Sequence, residues 1–165
     1  MIKAFSLRKI ITFLVAVALP LAVGGLSALF TGDIESVYDS VVNPPFAPPA
    51  SVFPIVWGIL YALMGIALYL VVKDGFEDDE VREALLYFAI TLVFNFFWTP
   101  IFFKWGRVLL ALIWLCAMIV LAGINIVQFY RINKWAGFLL IPYFIWLLFA
   151  LALNIGVYLL NGAVI

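Results

Sequence analysis

Charged side chains are absent from five stretches of this chain, residues 10–30, 51–72, 84–103, 108–129 and 136–160. Each is close to the roughly 20 apolar residues that an α-helix needs to cross a bilayer's hydrocarbon core. Lipid satisfies no backbone N–H or C=O, so a spanning segment must be a helix or part of a closed barrel, and a barrel needs short alternating segments. The expected fold is therefore an all-α integral membrane protein, a single domain over residues 1–165 built as a five-transmembrane-helix bundle. Composition agrees: 11% of the residues are charged, against about 25% in a soluble domain.

Lys3, Arg8 and Lys9 resemble the basic start of a secretory leader. The apolar run behind them is about 20 residues, longer than the 7–15 of a leader's core, and is read as the first spanning helix. Seven basic residues (Lys3, Arg8, Lys9, Lys73, Arg82, Arg131 and Lys134) fall on the side of the N-terminus and of the second and fourth connections. Lys104 and Arg107 fall on the other. By the positive-inside bias the N-terminus is cytoplasmic in a bacterial cell membrane, and the first connection, residues 31–50, faces outward.

Several function classes lose their residues. The chain has no histidine and a single cysteine, Cys116, which removes imidazole and thiolate metal sites, an intrachain disulfide and the commonest general base. Cys116 lies in an apolar span and reads as an inert packing residue. No acid or base lies deep in a span, where ion-coupled pumps and proton relays need one. No basic patch suits nucleic acid, no metal site is expected, and acid–base catalysis is not expected. The acidic run "KDGFEDDEVRE" from Lys73 to Glu83 reads as a solvated turn with a helix start, or else as a partner-docking surface.

The informative residues are polar and aromatic groups inside the spans. Trp57, Tyr61 and Met64 share one helix face, as do Thr91, Asn95, Trp98 and Phe102, and as do Tyr143, Trp146, Ala150 and Asn154. Amides are costly against lipid, so these faces are expected to turn toward one another. Two readings fit. Asn95 and Asn154 could be interhelical hydrogen-bonding groups and the rings core or interfacial belt, which suits Trp105 and Trp135 beside Lys104 and Lys134. Alternatively, three such faces closing on one space make an apolar pocket with a few polar anchors, suited to a flat aromatic ligand.

The stretch "NPPFAPPASVFPIVWGILYALMG", Asn43–Gly65, adds a stiff approach to the second span. Proline fixes its own φ and restrains the preceding residue, so Pro44, Pro45, Pro48 and Pro49 should hold an extended lid. Pro54 falls in the first turn of the helix, where a missing N–H costs little. On helix one, Gly24 with Ala28 and Ala18 with Ala22 give small-xxx-small spacings that suit a second copy.

These residues resemble a known family. "NPPFAPPASVFPIVWGILYALMG", "FNFFWTPIFF" at Phe94–Phe103 and "IPYFIWLLFALALN" at Ile141–Asn154, in that order and in a five-helix setting, are similar to the TspO/MBR family of tryptophan-rich sensory proteins and mitochondrial translocator (peripheral benzodiazepine receptor) proteins. The resemblance implies a homodimeric bundle that binds protoporphyrin IX and related tetrapyrroles under the first loop, with no resident cofactor. It implies pocket tryptophans at Trp57 and Trp146, Asn95 and Trp98 on the third helix, and Ala150 and Asn154 on the fifth. It also leaves open light-dependent porphyrin degradation through Trp57 and Trp146, or carriage of apolar molecules across the membrane. The family's sterol segment needs a basic residue after a tyrosine; Tyr158 has none beyond it. For ligand propionates, Lys104 and Arg107 are the only basic groups expected on the lid side.

Overall fold

The computed structural model describes residues 2–163, with side chains from residue 7 onward; Lys3 lies outside the described side chains. Every regular element among these residues is helical: α1 (Ile2–Thr31), α2 (Ile34–Ser40), α3 (Val52–Val72), α4 (Asp79–Thr99), a π-helical segment (Pro100–Lys104), α5 (Val108–Ile132) and α6 (Lys134–Asn161). Five of these units are long and apolar enough to span: Leu7–Thr31, Val52–Val72, Asp79–Lys104, Val108–Ile132 and Lys134–Asn161. The chain is thus an all-α, multi-pass integral membrane protein.

Local chemistry explains where the elements differ from the sequence reading. Helix α4 begins at Asp79 rather than near residue 84, because Asp79 and Glu80 favour the positive end of the helix dipole. The first connection contains α2, started by Asp33, whose carboxylate accepts from Ser36 N at 3.1 Å. The proline strap is not simply extended: Ala47 N donates to Pro44 O at 2.9 Å, a turn with Pro45 at the position that proline favours. A π-helical stretch follows Pro100. Pro100 has no N–H to give the Phe96 carbonyl; the buried Ser27 of α1 donates its hydroxyl there at 2.6 Å.

Burial follows the stripes. Met64, Thr91, Asn95, Tyr143 and Asn154 are each at most 2% exposed. Asn125 of α5, which the sequence reading passed over, is equally buried and donates to Thr91 Oγ1 at 2.5 Å, joining α5 to α4. Helices α1 and α3 touch backbone to backbone where Gly65 faces Val17; a Cβ on Gly65 would stand 2.5 Å from Val17 Cα. Cys116 corrects an expectation. It is exposed on the outer face of α5, where apolar surface meets lipid rather than a packing partner.

Candidate functional site

The aromatic stripe of α3 is the centre of the site. Trp57 stacks on Tyr61 at 5.3 Å between ring centroids and packs against Trp98 at 6.5 Å and Tyr143 at 6.4 Å. Trp98 is backed by Phe102, stacked at 5.7 Å, and by Phe103, edge-on at 6.2 Å. The π-helical turn allows those two consecutive phenylalanines to bury together. On α6, Trp146 meets Phe53 edge-on at 6.0 Å. Indoles from α3, α4 and α6 therefore converge beneath the first connection.

Two spaces lie among these rings. An outer cavity of about 350 Å³ sits between α1, α2, α3 and the end of α4. An inner void of about 20 Å³ lies against α6. Tyr38, Phe53, Trp57, Trp98 and Phe103 line both and form the wall between them. Of the residues singled out in sequence, Trp57 and Trp98 line both spaces, Tyr61 the outer one, and Trp146, Ala150 and Asn154 the inner one.

Asn95 and Tyr143 line neither space. Asn95 Nδ2 donates to the Tyr143 hydroxyl at 2.9 Å, and that hydroxyl approaches Asn95 Oδ1 at 3.1 Å. They tie α4 to α6 behind the rings, as the interhelical reading held. Gly24 and Ala28 of the first small-residue pair face the outer cavity, and a side chain on Gly24 would collide with the Tyr61 ring. Gly24 thus serves a contact inside one chain, while Ala18, Ala22 and Ala28 are exposed. Sequence reasoning missed Tyr38, Phe53 and Phe103. Phe53 sits four residues before Trp57 on the same face, a signal that was present.

The four strap prolines line neither space; Pro54 lines the outer one. The strap instead is fastened to its neighbours. Asn161 Oδ1 accepts from Val42 N and its Nδ2 donates to Val42 O, both at 2.9 Å. The Tyr38 hydroxyl donates to Pro48 O at 2.7 Å. Burial, then the neighbouring Asp39 charge, pushes the Tyr38 phenol above its ordinary value, so it stays protonated as a donor. Pro44 is buried beside Gly156, where an added Cβ would stand 2.8 Å from Pro44 Cγ.

The electrostatics are sparse. Lys104 Nζ donates to Phe30 O at 2.7 Å and lies 4.0 Å from the Phe30 ring centroid. Neither Lys104 nor Arg107 lines either space. Among the described residues, Glu35 is the one charged residue at the outer cavity. Among the described residues no three His, Cys, Asp or Glu side chains gather as a metal site. The chemical capacity of the inner void lies in unused hydrogen-bonding groups. Trp98 Nε1, Trp146 Nε1 and both amide atoms of Asn154 are buried without a partner.

A family model described as the TspO/MBR family matches residues 16–160. The chain is 35% identical over 155 residues to the tryptophan-rich protein TspO of Chlorobaculum tepidum, covering 93% of this chain and 98% of that one. It is 36% identical over 158 residues to the tryptophan-rich protein TspO of Archaeoglobus fulgidus, covering 95% and 99%. It is 37% identical over 119 residues to the translocator protein of Homo sapiens, covering 71% and 70%. With matches across nearly its whole length and five spanning helices in place, the chain belongs to the TspO/MBR family.

Proposed function

We propose that the protein is a membrane receptor that binds tetrapyrroles such as protoporphyrin IX between the indoles of Trp57, Trp98 and Trp146. The observation that carries this reading is the set of unpartnered polar atoms beside the ring wall: Trp98 Nε1, Trp146 Nε1 and the Asn154 amide. Buried polar groups are normally paired, and an unmade bond costs about 1–3 kcal/mol. A ligand with a conjugated flat body and inward-facing nitrogen or oxygen atoms satisfies both the rings and these groups. The outer cavity is at the small end of the roughly 300–1,000 Å³ usual for ligand sites. On this reading a macrocycle joins the two spaces, which requires the ring wall between them to move aside. Among the described residues no basic side chain lines the spaces, so the propionates of such a ligand point out toward the headgroups.

Close contact between an electron-rich indole and a bound macrocycle also supports a second reading, light-dependent porphyrin degradation; the Trp57–Trp98 ring contact favours it. Loss of porphyrin absorbance under light would then require protein and stop with Trp146→Phe. The basic-residue bias supports a cytoplasmic N-terminus in a bacterial cell membrane, and the exposed Ala18 and Ala22 support pairing of two copies through α1.

The test is titration of intrinsic fluorescence with protoporphyrin IX in detergent or nanodiscs. Saturable quenching is expected, weakened about twofold to tenfold by Trp57→Ala or Trp146→Ala, the loss of one stacking partner each. Unchanged curves in both variants would rule the reading out.

A further inference from the structure

The outer cavity has a feature that the receptor reading does not use: its α1 wall is made of small residues, Gly24, Gly25 and Ala28. Helices α1 and α3 are in backbone contact at Gly65 and Val17. One level further toward the strap, the Tyr61 ring fills the space against Gly24. Beyond that the gap is unfilled, since a Cβ on Gly25 or on Gly58 would meet nothing within 4 Å. Gly25 and Ala28 line the cavity from α1 and are exposed. They lie in the last two turns of the apolar span Leu7–Thr31. The rear wall is Trp57, Tyr61 and Trp98. Water gains little in such a space, while the solvent around an apolar span is acyl chain.

The rim is different in kind. Helix α2 follows the end of the α1 span and carries Glu35, exposed and lining the cavity. Among the described residues Glu35 has no ion-pair partner. A carboxylate just above a hydrocarbon slot selects among lipid headgroups. It attracts an ammonium and repels a net anionic head.

We propose that the outer cavity is a binding site for one acyl chain of a phospholipid whose headgroup places a primary ammonium, as in phosphatidylethanolamine, beside Glu35. The chain inserts between α1 and α3 and lies against the Trp57–Tyr61 face. This occupant comes from the bilayer and is held by shape and one charge; it lies against Trp57 and Trp98, which the tetrapyrrole reading also uses, so a bound macrocycle displaces it.

The test uses the full chain reconstituted in vesicles of phosphatidylethanolamine or of phosphatidylglycerol, extracted in mild detergent and weighed by native mass spectrometry. One retained phospholipid per chain is expected, with phosphatidylethanolamine preferred by up to about fivefold, the reach of one exposed ion pair. Glu35→Gln should abolish the preference yet keep the adduct. Gly58→Leu and, separately, Gly25→Leu should remove the adduct from both lipids, with helical circular dichroism and an unchanged thermal midpoint showing that the bundle is intact. Retention that survives both fillings would mark lipid on the outer surface and overturn the assignment, as would equal retention of the two headgroups or no retained lipid in the unmodified chain. Failure of porphyrin titration alone would leave these outcomes untouched, so the two proposals fail separately.

Discussion

Ser27 and Pro100 should behave as one unit. Pro100 cannot donate to the Phe96 carbonyl, and Ser27 Oγ supplies a hydrogen bond to that carbonyl from another helix at 2.6 Å. Ser27 is 2% exposed, so neither water nor lipid headgroups replace it. Ser27→Ala therefore loses one interhelical bond and leaves a buried acceptor short of a donor. Interhelical hydrogen bonds in membrane proteins contribute on average about 0.6 kcal/mol and up to about 1.7; the burial here places the loss at about 1–1.5 kcal/mol. Pro100→Ala restores the backbone N–H, and the helix can then satisfy Phe96 itself. In that background Ser27→Ala should cost at most about 0.5 kcal/mol. Equilibrium unfolding of the four proteins in mixed micelles gives the double-mutant cycle. A Ser27→Ala cost that is the same with and without Pro100 would refute the reasoning, because the hydroxyl would then be answering some other need.

Asn154→Leu should stabilise the ligand-free protein, by about 1 kcal/mol on thermal unfolding, since it removes two unpartnered buried polar atoms; it should also weaken protoporphyrin binding, and stabilisation with full binding would remove Asn154 from the site. Gly65→Val should be among the most damaging single changes, because its side chain meets Val17 backbone; a cost below about 1 kcal/mol in the same unfolding assay would contradict the close helix contact. Gly156→Ala or Asn161→Leu should loosen the strap by displacing Pro44 or releasing Val42. Hydrogen exchange would report this as faster exchange at residues 41–50 with the helices unchanged.

The sequence carried the architecture because a charge deep in lipid is so costly that charge-free runs mark the spans. It carried the inward direction of Asn95, Tyr143 and Asn154 for the same reason. What those groups do once inside was beyond it. Whether an amide pairs across the bundle, as Asn95 does with Tyr143, or is left unpartnered, as Asn154 is, depends on ångström-level register between helices distant in sequence. The outer cavity was hidden for a related reason. It exists because α1 and α3 meet at Gly65 and part above Gly24, and α1 shows no polar or aromatic stripe to announce a lining role. The Ser27 contact and the π-helical turn were legible in part, since Pro100 announces a missing donor, but the sequence does not say which helix answers it. Cys116 points outward because cysteine is apolar enough for either face, so its burial had no sequence signal.

A structure of the protein with protoporphyrin IX bound is the most direct measurement of whether the converging indoles form a tetrapyrrole site. The expected result is a macrocycle between Trp57 and Trp146, with the Tyr38–Phe53 side of the ring wall displaced and Asn154 hydrogen-bonded to the ligand. A porphyrin seated on the lipid-facing surface, with the ring wall and the Asn154 amide unchanged, would contradict it.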